Sequence, residues 1–177
     1  MKTLYLIRHA KSDWQDPGAS DFERGLTKKG QRDINTMGSY LKLRGILPDL
    51  VLASCSLRTQ ETADGLADKL AFEGPRHYLQ ELYLTPPETL KETLMLEENH
   101  LESILVVSHN PQVTDLANML TEEHISKIPT LGIVAINFDI DEWSELEEAQ
   151  GEIDFFIFPK QFKYYMPKQI RATLELS

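Results

Sequence analysis

The feature that most constrains the fold of this chain is an alternation of short apolar runs with segments of helical length. Six runs have the length of strands, and most are rich in branched or aromatic residues; they lie at residues 3–7, 50–53, 76–79, 104–107, 132–138 and 153–158. Segments between them place apolar residues three and four positions apart, as in a helix with one buried face. This alternation predicts βαβ units and a mainly parallel sheet with helices on both faces.

Start and stop signals mark the ends of the helical segments. Thr27 is a suitable cap for the first helix, and Gly45 ends it. Asn110 is predicted to cap a later helix that begins at Pro111. No long helix separates the last two strands, so we expect them to run antiparallel at one edge. The predicted fold class is α/β, a three-layer α/β/α sandwich with a mainly parallel sheet and an antiparallel edge.

Length and charge narrow the range of partners. The 177 residues are predicted to form one domain, residues 1–177, which is long enough to bury a sizeable core. With 18 basic and 28 acidic residues, the formal net charge is −10, which argues against nucleic acid and anionic membranes as partners. A small anionic ligand is compatible with this charge, because a few cations can converge in one pocket.

The single cysteine and the N-terminal residues bear on location. Cys55 excludes an internal disulfide and fits a reducing cytosol, and we interpret it as a small buried side chain rather than a nucleophile. The N-terminal residues carry no signal-peptide pattern, and no apolar run has the length of a membrane span. We therefore expect a cytoplasmic protein without a membrane partner.

Cationic and imidazole side chains follow three of the predicted strands at the point where each strand ends. Arg8 and His9 follow the first strand, Arg58 lies in the first turn of the helix after the second, and His109 follows the fourth. Because the carboxyl ends of parallel strands meet at one edge of a sheet, we expect these side chains to converge. Helix N-termini favour anions, and a guanidinium can grip two oxygens at once. The sequence therefore predicts a pocket for a dianionic phosphoryl group.

Each of these residues also has a simpler interpretation. Arg58 has Glu61 three positions away as an ion-pair partner, and His109 is equally compatible with a core histidine bonded to backbone. A metal site built on His9 and His109 lacks an obvious carboxylate or cysteine ligand beside either residue. The joint placement at strand ends favours the phosphoryl pocket. The other histidines are interpreted as solvent-exposed; they are His77, His100 and His124.

At these positions the sequence resembles the histidine phosphatase superfamily. The similar segments are residues 6–12, Leu26-Thr27 with Gly30, residues 54–63 and residues 106–111. Within the superfamily the chain most resembles the small SixA-type phosphohistidine phosphatases, in its short length, in the Arg-His-Ala-Lys-Ser run at residues 8–12 with Trp14, and in Phe158-Pro159-Lys160. The resemblance covers nearly the whole chain and implies a phosphoglycerate mutase-like fold.

The resemblance implies a role for each residue at the strand ends. His9 is the nucleophile that becomes phosphorylated, and His109 donates a hydrogen bond to the transferring group. Arg8 and Arg58 hold the phosphoryl oxygens. These roles agree with the chemistry, because a nucleophilic imidazole must be neutral on the attacking nitrogen and its other N–H then needs a fixed acceptor. Cationic and N–H donors around the equatorial oxygens favour the charge distribution of the transition state.

Three further residues complete the predicted site. Glu81 stands where many relatives carry a proton-donating acid, and the alternative is a solvated loop carboxylate. Ser12 and Asn110 are expected to contact phosphate, with Ser12 replacing an asparagine that many mutase-like relatives carry where Gln15 stands. The chain between Arg58 and Glu81 is too short for the helical insertion that covers larger substrates in bigger relatives. The predicted site is therefore open.

By this resemblance the chain is a phosphatase that works in two steps without a metal or other cofactor. The nucleophile takes the phosphoryl group from the substrate, and water then hydrolyses the phosphoenzyme. The expected substrate is phosphohistidine on a partner protein; a small-molecule phosphomonoesterase and a non-catalytic phosphate-binding module are the alternatives. The acidic segment 139–148 is either a docking surface or a solvated connection between the edge strands.

Overall fold

A six-stranded sheet forms the centre of the fold in a computed structural model that describes residues 1–13 and 18–164. The strands are β1 (Lys2–Arg8), β2 (Leu50–Ser54), β3 (Arg76–Leu79), β4 (Ser103–Ser108), β5 (Ile133–Phe138) and β6 (Glu152–Ile157). They lie in the order β3-β2-β4-β1-β5-β6. The first four in this order are parallel, whereas β5 is antiparallel to both β1 and β6. The predicted mainly parallel sheet with an antiparallel edge is confirmed.

Helices cover both faces of this sheet. They are α1 (Lys28–Leu43), α2 (Leu57–Lys69), α3 (Pro87–Met95), α4 (Gln112–Leu120) and α5 (Pro159–Tyr164). Buried side chains of α1, α2 and α5 pack on one face, and those of α3 and α4 pack on the other. The three-layer α/β/α arrangement is therefore also confirmed.

Strand β1 lies inside the sheet and is buried on both faces. Leu4 and Leu6 belong to the core under α3 and α4, whereas Ile7 belongs to the core under α1 and α2. All three side chains are fully buried. Burial on both faces explains why the run at residues 3–7 is nearly continuous in apolar character. It also fixes the carboxyl end of β1 near the middle of the sheet edge.

Helix α1 begins and ends at the residues that the sequence indicates. The side chain of Thr27 accepts a hydrogen bond from the amide of Gly30 at 2.9 Å. Gly45 follows the helix with a φ of 71°, a conformation that favours glycine. The N-terminal turn also touches the segment after β1, because the amide of Thr27 donates to the carbonyl of Lys11 at 2.9 Å.

The predicted start of α4 is wrong by one residue. Pro111 occupies the cap position and the helix begins at Gln112. The side chain of Asn110 is engaged elsewhere, since its amide donates to the carbonyl of Ile128 at 2.8 Å. Its amide oxygen accepts from the hydroxyl of Thr114 at 2.7 Å. The first contact connects the start of α4 with the loop before β5, whereas the second lies within the start of α4.

The acidic segment 139–148 connects β5 with β6 and is anchored by a tryptophan. Trp143 is fully buried, and its indole N–H donates to the carbonyl of Leu101 at 2.8 Å. The ammonium group of Lys2 lies 5.7 Å from the centre of the ring. These contacts hold the connection against the start of β1 and the residues before β4.

Several smaller predictions concern exposure. His77, His100 and His124 are exposed, as interpreted from the sequence. Cys55 is half-buried rather than fully buried. Trp14 and Gln15 lie outside the described residues. In residues 1–13 and 18–164, no helix combines the length and the apolar character that crossing a membrane requires.

Candidate active site

The two histidines of the predicted site lie side by side at the carboxyl edge of the sheet. Strands β1 and β4 pair in parallel with Arg8 opposite Ser108, so the residues that follow, His9 and His109, are neighbours. Their ring centres are 5.6 Å apart. Both side chains are buried, at 8 % and 3 % exposure.

Arg58 reaches the same place from the first turn of α2. Its Nη2 lies 3.3 Å from Nδ1 of His109, and the side chain is 3 % exposed. Arg8, His9, Arg58 and His109 together line a cavity of about 360 Å³. Among the residues predicted to contact phosphate, Ser12 and Asn110 also line this cavity. We call it the phosphate cavity.

The hydrogen bond of His9 fixes its tautomer. Nδ1 lies 2.8 Å from the carbonyl oxygen of Ala10, which can only accept, so Nδ1 carries the proton. Burial lowers the pKa of His9 to about 4, and the positive charges of Arg58 and Arg8 add to this effect. At neutral pH the ring is therefore neutral, and the lone pair resides on Nε2.

His109 is neutral as well, but its hydrogen bonds run in the opposite sense. Arg58 can only donate, so Nδ1 of His109 accepts from it, and Nε2 donates to the hydroxyl of Ser54 at 2.8 Å. Burial and the charge of Arg58 lower the pKa of His109 to about 3. For Nδ1 to donate to a phosphoryl oxygen, Arg58 must leave it and the hydroxyl of Ser54 must become the donor to Nε2.

The guanidiniums of Arg8 and Arg58 each contain an N–H donor that has no hydrogen-bond partner in the described part of the chain. Nη1 of Arg8 donates to the carbonyl of Ile128 at 3.2 Å, and Nη1 of Arg58 donates to the carbonyl of Asp21 at 2.7 Å. The Nε atoms of Arg8 and Arg58 are buried and have no hydrogen-bond partner among these residues. A buried N–H without a partner is costly, and an anion in the cavity is a suitable acceptor.

Asp21 is a residue of this cavity that the sequence analysis missed. Its Oδ2 lies 3.1 Å from Nη2 of Arg58 and accepts from the hydroxyl of Tyr83, while its Oδ1 lies 3.0 Å from Nη2 of Arg24. Although burial acts to raise it, the pKa of Asp21 is lowered by the Tyr83 hydroxyl and by Arg58. The signal was the Asp21-x-x-Arg24 spacing before Leu26, where the sequence analysis named no functional residue.

Aromatic contacts hold the two loops that cover one side of the phosphate cavity. The ring of Tyr83 lies edge-on to His109, with ring centres 5.6 Å apart. Phe22 also packs against Tyr83, with ring centres 5.2 Å apart. The loop that carries Asp21 and Phe22 is thereby tied to the loop after β3.

Glu81 is not among the residues that line the phosphate cavity. It lies in the short 3-10 turn Gln80–Leu82 and is exposed. Its role as a proton-donating acid therefore stays a prediction. The alternative partner of Arg58, Glu61, is not used in the described structure, where Arg58 pairs with Asp21 instead.

Comparisons with known proteins agree with this geometry. Residues 4–84 match the model of the histidine phosphatase superfamily (branch 1). An uncharacterized protein of Mycobacterium tuberculosis is 30% identical over 164 residues, which cover 87% of this chain and all of that protein.

Solved structures of SixA proteins are similar over nearly the whole chain. The protein histidine phosphatase SixA in complex with tungstate has a TM-score of 0.78 and 25% identity, over 90% of this chain and 98% of that one. A SixA protein from Agrobacterium tumefaciens has a TM-score of 0.74 and 26% identity, over 88% of this chain and 97% of that one. The chain is therefore a phosphatase that belongs to the histidine phosphatase superfamily.

Proposed function

We propose that the chain removes phosphoryl groups from phosphohistidine on a partner protein, through a covalent intermediate on His9. The observation that carries this proposal is a neutral His9, with its proton on Nδ1, beside two buried guanidinium Nε groups without partners. A neutral imidazole can attack phosphorus, and the free donors can receive the oxygens of the transferred group. A protein that only binds phosphate needs no such nucleophile.

The proposed reaction has two displacements at phosphorus. In the first, Nε2 of His9 forms a bond to phosphorus while the bond to the leaving imidazole breaks, and that imidazole takes up a proton from solvent water. In the second, water attacks phosphorus, the bond to Nε2 breaks, and inorganic phosphate leaves. Arg8, Arg58 and His109 stabilise the oxygens in both steps, so the scheme requires no metal ion.

The preference for phosphohistidine rests on the similarity to SixA proteins, one of which is a protein histidine phosphatase. Phosphohistidine also has a leaving group that departs readily once protonated, which suits a cavity that Glu81 does not line. The test is a panel that compares kcat/KM for a phosphohistidine protein, a phosphosugar and an aryl phosphate. Highest efficiency on the phosphosugar would replace the proposal with a small-molecule phosphomonoesterase.

The intermediate is tested by brief exposure to labelled substrate followed by quenching. Acid-labile, base-stable label should appear on His9, and His9→Ala should abolish both labelling and turnover. His109→Ala removes only a donor to the transferred group, so turnover should slow by roughly 10²–10³-fold while slow labelling of His9 persists. His77→Ala changes an exposed histidine away from the cavity and is the matched control. Label on His109 or Cys55 in the His9→Ala variant would defeat the scheme.

Two further experiments distinguish a reaction that depends on the guanidiniums from one that depends on a metal ion. Arg58→Lys should restore little of the activity that Arg58→Ala loses, because an ammonium lacks the planar fork that grips two oxygens. Turnover of the unmodified protein should be the same with and without a chelator. Loss of turnover in chelator, restored by a divalent metal, would reverse the proposed roles of His9 and His109.

A further inference from the structure

A second cavity adjoins the phosphate cavity and has no role in the scheme so far. Its volume is about 780 Å³, against about 360 Å³ for the phosphate cavity. The two cavities share Arg8, Lys11 and Thr130 in their walls, so they are direct neighbours. The second cavity extends along the loop 124–130 to the end of β6. We call it the basic groove.

The rim of the basic groove is positively charged in a chain whose net charge is −10. Lys11 and Lys127 contribute exposed ammonium groups to its wall, and His124 also lines it. No carboxylate lines the groove among the described residues. Glu122 and Glu123 precede His124 in the chain but do not line the groove. The local charge is therefore opposite to that of the whole molecule.

The wall of the basic groove also contains apolar side chains. Phe156 and Phe158 line it, with ring centres 5.6 Å apart, and both are half-buried. Ile125 and Pro129 line it from the loop before β5. A half-buried aromatic pair beside exposed ammonium groups offers both apolar contact and charge to one ligand.

We propose that the basic groove binds the polypeptide next to the phosphorylated residue and selects acidic side chains there. This inference rests on the proposed function, because it names the protein substrate of the same site. A phosphoryl group in the phosphate cavity leaves the groove open for the residues beside it. Exposed ammonium groups favour aspartate and glutamate in those residues. Acidic residues elsewhere on the chain repel an acidic peptide, but this repulsion is screened beyond about 8–10 Å at physiological ionic strength. The charges in the groove therefore determine which peptide binds better.

The test uses phosphohistidine peptides that differ only in the residues beside the phosphohistidine, which are acidic, neutral or basic. The acidic peptide should have a kcat/KM that exceeds that of the basic peptide by roughly tenfold. The difference should shrink when the ionic strength rises from about 0.05 M to about 0.5 M, because the charges are exposed. An aryl phosphate, which carries no flanking residues, provides the reference rate for each protein variant.

A charge reversal in the groove identifies the surface that is responsible. Lys127 lines the basic groove but not the phosphate cavity. Lys127→Glu should lower the ratio of acidic-peptide to aryl-phosphate efficiency by roughly five- to tenfold, and it should raise the ratio for the basic peptide. Lys42→Glu makes the same change at an exposed position of α1 and should leave both ratios unaltered.

The outcomes separate this inference from the proposed function. Equal efficiency on acidic and basic peptides, or equal effects of Lys127→Glu and Lys42→Glu, would overturn the role of the groove while leaving the phosphatase intact. Equal losses on peptides and aryl phosphate in Lys127→Glu would assign the residue to the phosphate cavity instead and overturn the inference. An unmodified protein that hydrolyses neither peptides nor aryl phosphate would overturn the proposed function itself.

Discussion

His9 and His109 are both neutral imidazoles, but their hydrogen-bond partners suit them to different tasks. The carbonyl oxygen beside His9 can only accept, so its proton stays on Nδ1. The hydroxyl of Ser54 can either donate or accept, so His109 can exchange tautomers and keep this bond. A fixed tautomer is what a nucleophile requires. An exchangeable one suits a residue that must release Arg58 and direct a proton toward phosphate.

We predict that the acid limb of kcat/KM lies near pH 4, where His9 becomes protonated, and not near the ordinary histidine pKa of 6.5. Protonated His9 has no lone pair on Nε2, so the reaction stops below this pH. The measurement is a pH profile of kcat/KM on an aryl phosphate, corrected for ionisation of the substrate, because kcat/KM reports the free enzyme.

The pH profile needs a measurement of folding as its control, because protonation of His9 and His109 also destabilises the folded protein. The pKa values of His9 and His109 are about 4 and about 3, below the ordinary 6.5, so the unfolded chain binds more protons between these values. This contribution to stability is complete above pH 6.5, and it is lost as the pH falls through about 4 for His9 and about 3 for His109. Circular dichroism at each pH identifies the folded range. An acid limb near pH 6.5 in folded protein contradicts the prediction.

Asp21 is predicted to weaken the binding of phosphate. Its carboxylate pairs with Arg58 and Arg24, so a dianion must compete with it for these guanidiniums. Asp21→Asn keeps the size and removes the charge, so the inhibition constant of inorganic phosphate should fall by roughly three- to tenfold. Glu23→Gln removes an exposed carboxylate from the same turn, outside the cavity, as the control. A higher constant in Asp21→Asn would mean that the carboxylate serves to position Arg58.

At the scale of elements, the start of α1 fixes the backbone that follows His9, the proposed nucleophile. Thr27 donates its amide to the carbonyl of Lys11, and a Cβ on Gly30 would lie 2.5 Å from that oxygen. Only glycine permits this approach. The helix therefore fixes the backbone at Lys11, two residues after His9. Lys11 lines both the phosphate cavity and the basic groove.

Gly30→Ala should destabilise the protein although alanine is the better helix former. Helix propensity favours alanine by about 1 kcal/mol, whereas displacing backbone to relieve such a clash costs about 1–3 kcal/mol. Urea denaturation measures the net effect. Gln31→Ala, at an exposed position of the same turn, should be neutral or slightly stabilising. A Gly30→Ala variant more stable than the parent chain would show that Lys11 moves freely.

The elements that could be predicted from the sequence are those whose pattern is local. Apolar periodicity indicated the strands and helices, and parallel pairing then brought Arg8, His9 and His109 to one edge. The surroundings of Arg58 could not be predicted, because Asp21 and Tyr83 reach it from loops whose positions depend on packing across the sheet edge. The basic groove is likewise assembled from segments distant in sequence, and periodicity carries no information on such contacts.

At the scale of the whole molecule, we predict that the chain unfolds as one cooperative unit. The two hydrophobic cores lie on opposite faces of one sheet and share its strands, so neither can lose its packing alone. In a Trp14→Phe variant, fluorescence reports on Trp143, which belongs to only one core. Urea transitions followed by far-ultraviolet circular dichroism and by this fluorescence should coincide. Separate midpoints would mean that residues 1–177 do not behave as a single domain.

The two buried Nε groups of Arg8 and Arg58 have a consequence for how long the protein survives. Because these donors lack partners in the described structure, the folded chain carries a cost that a bound anion removes. An anion that binds only the folded chain raises its stability by mass action. Product and substrate phosphate then act as protectants, so unfolded chains, which proteases degrade, become rarer as phosphate accumulates. We therefore expect the abundance of the protein to rise with the concentration of the ion that the proposed reaction releases.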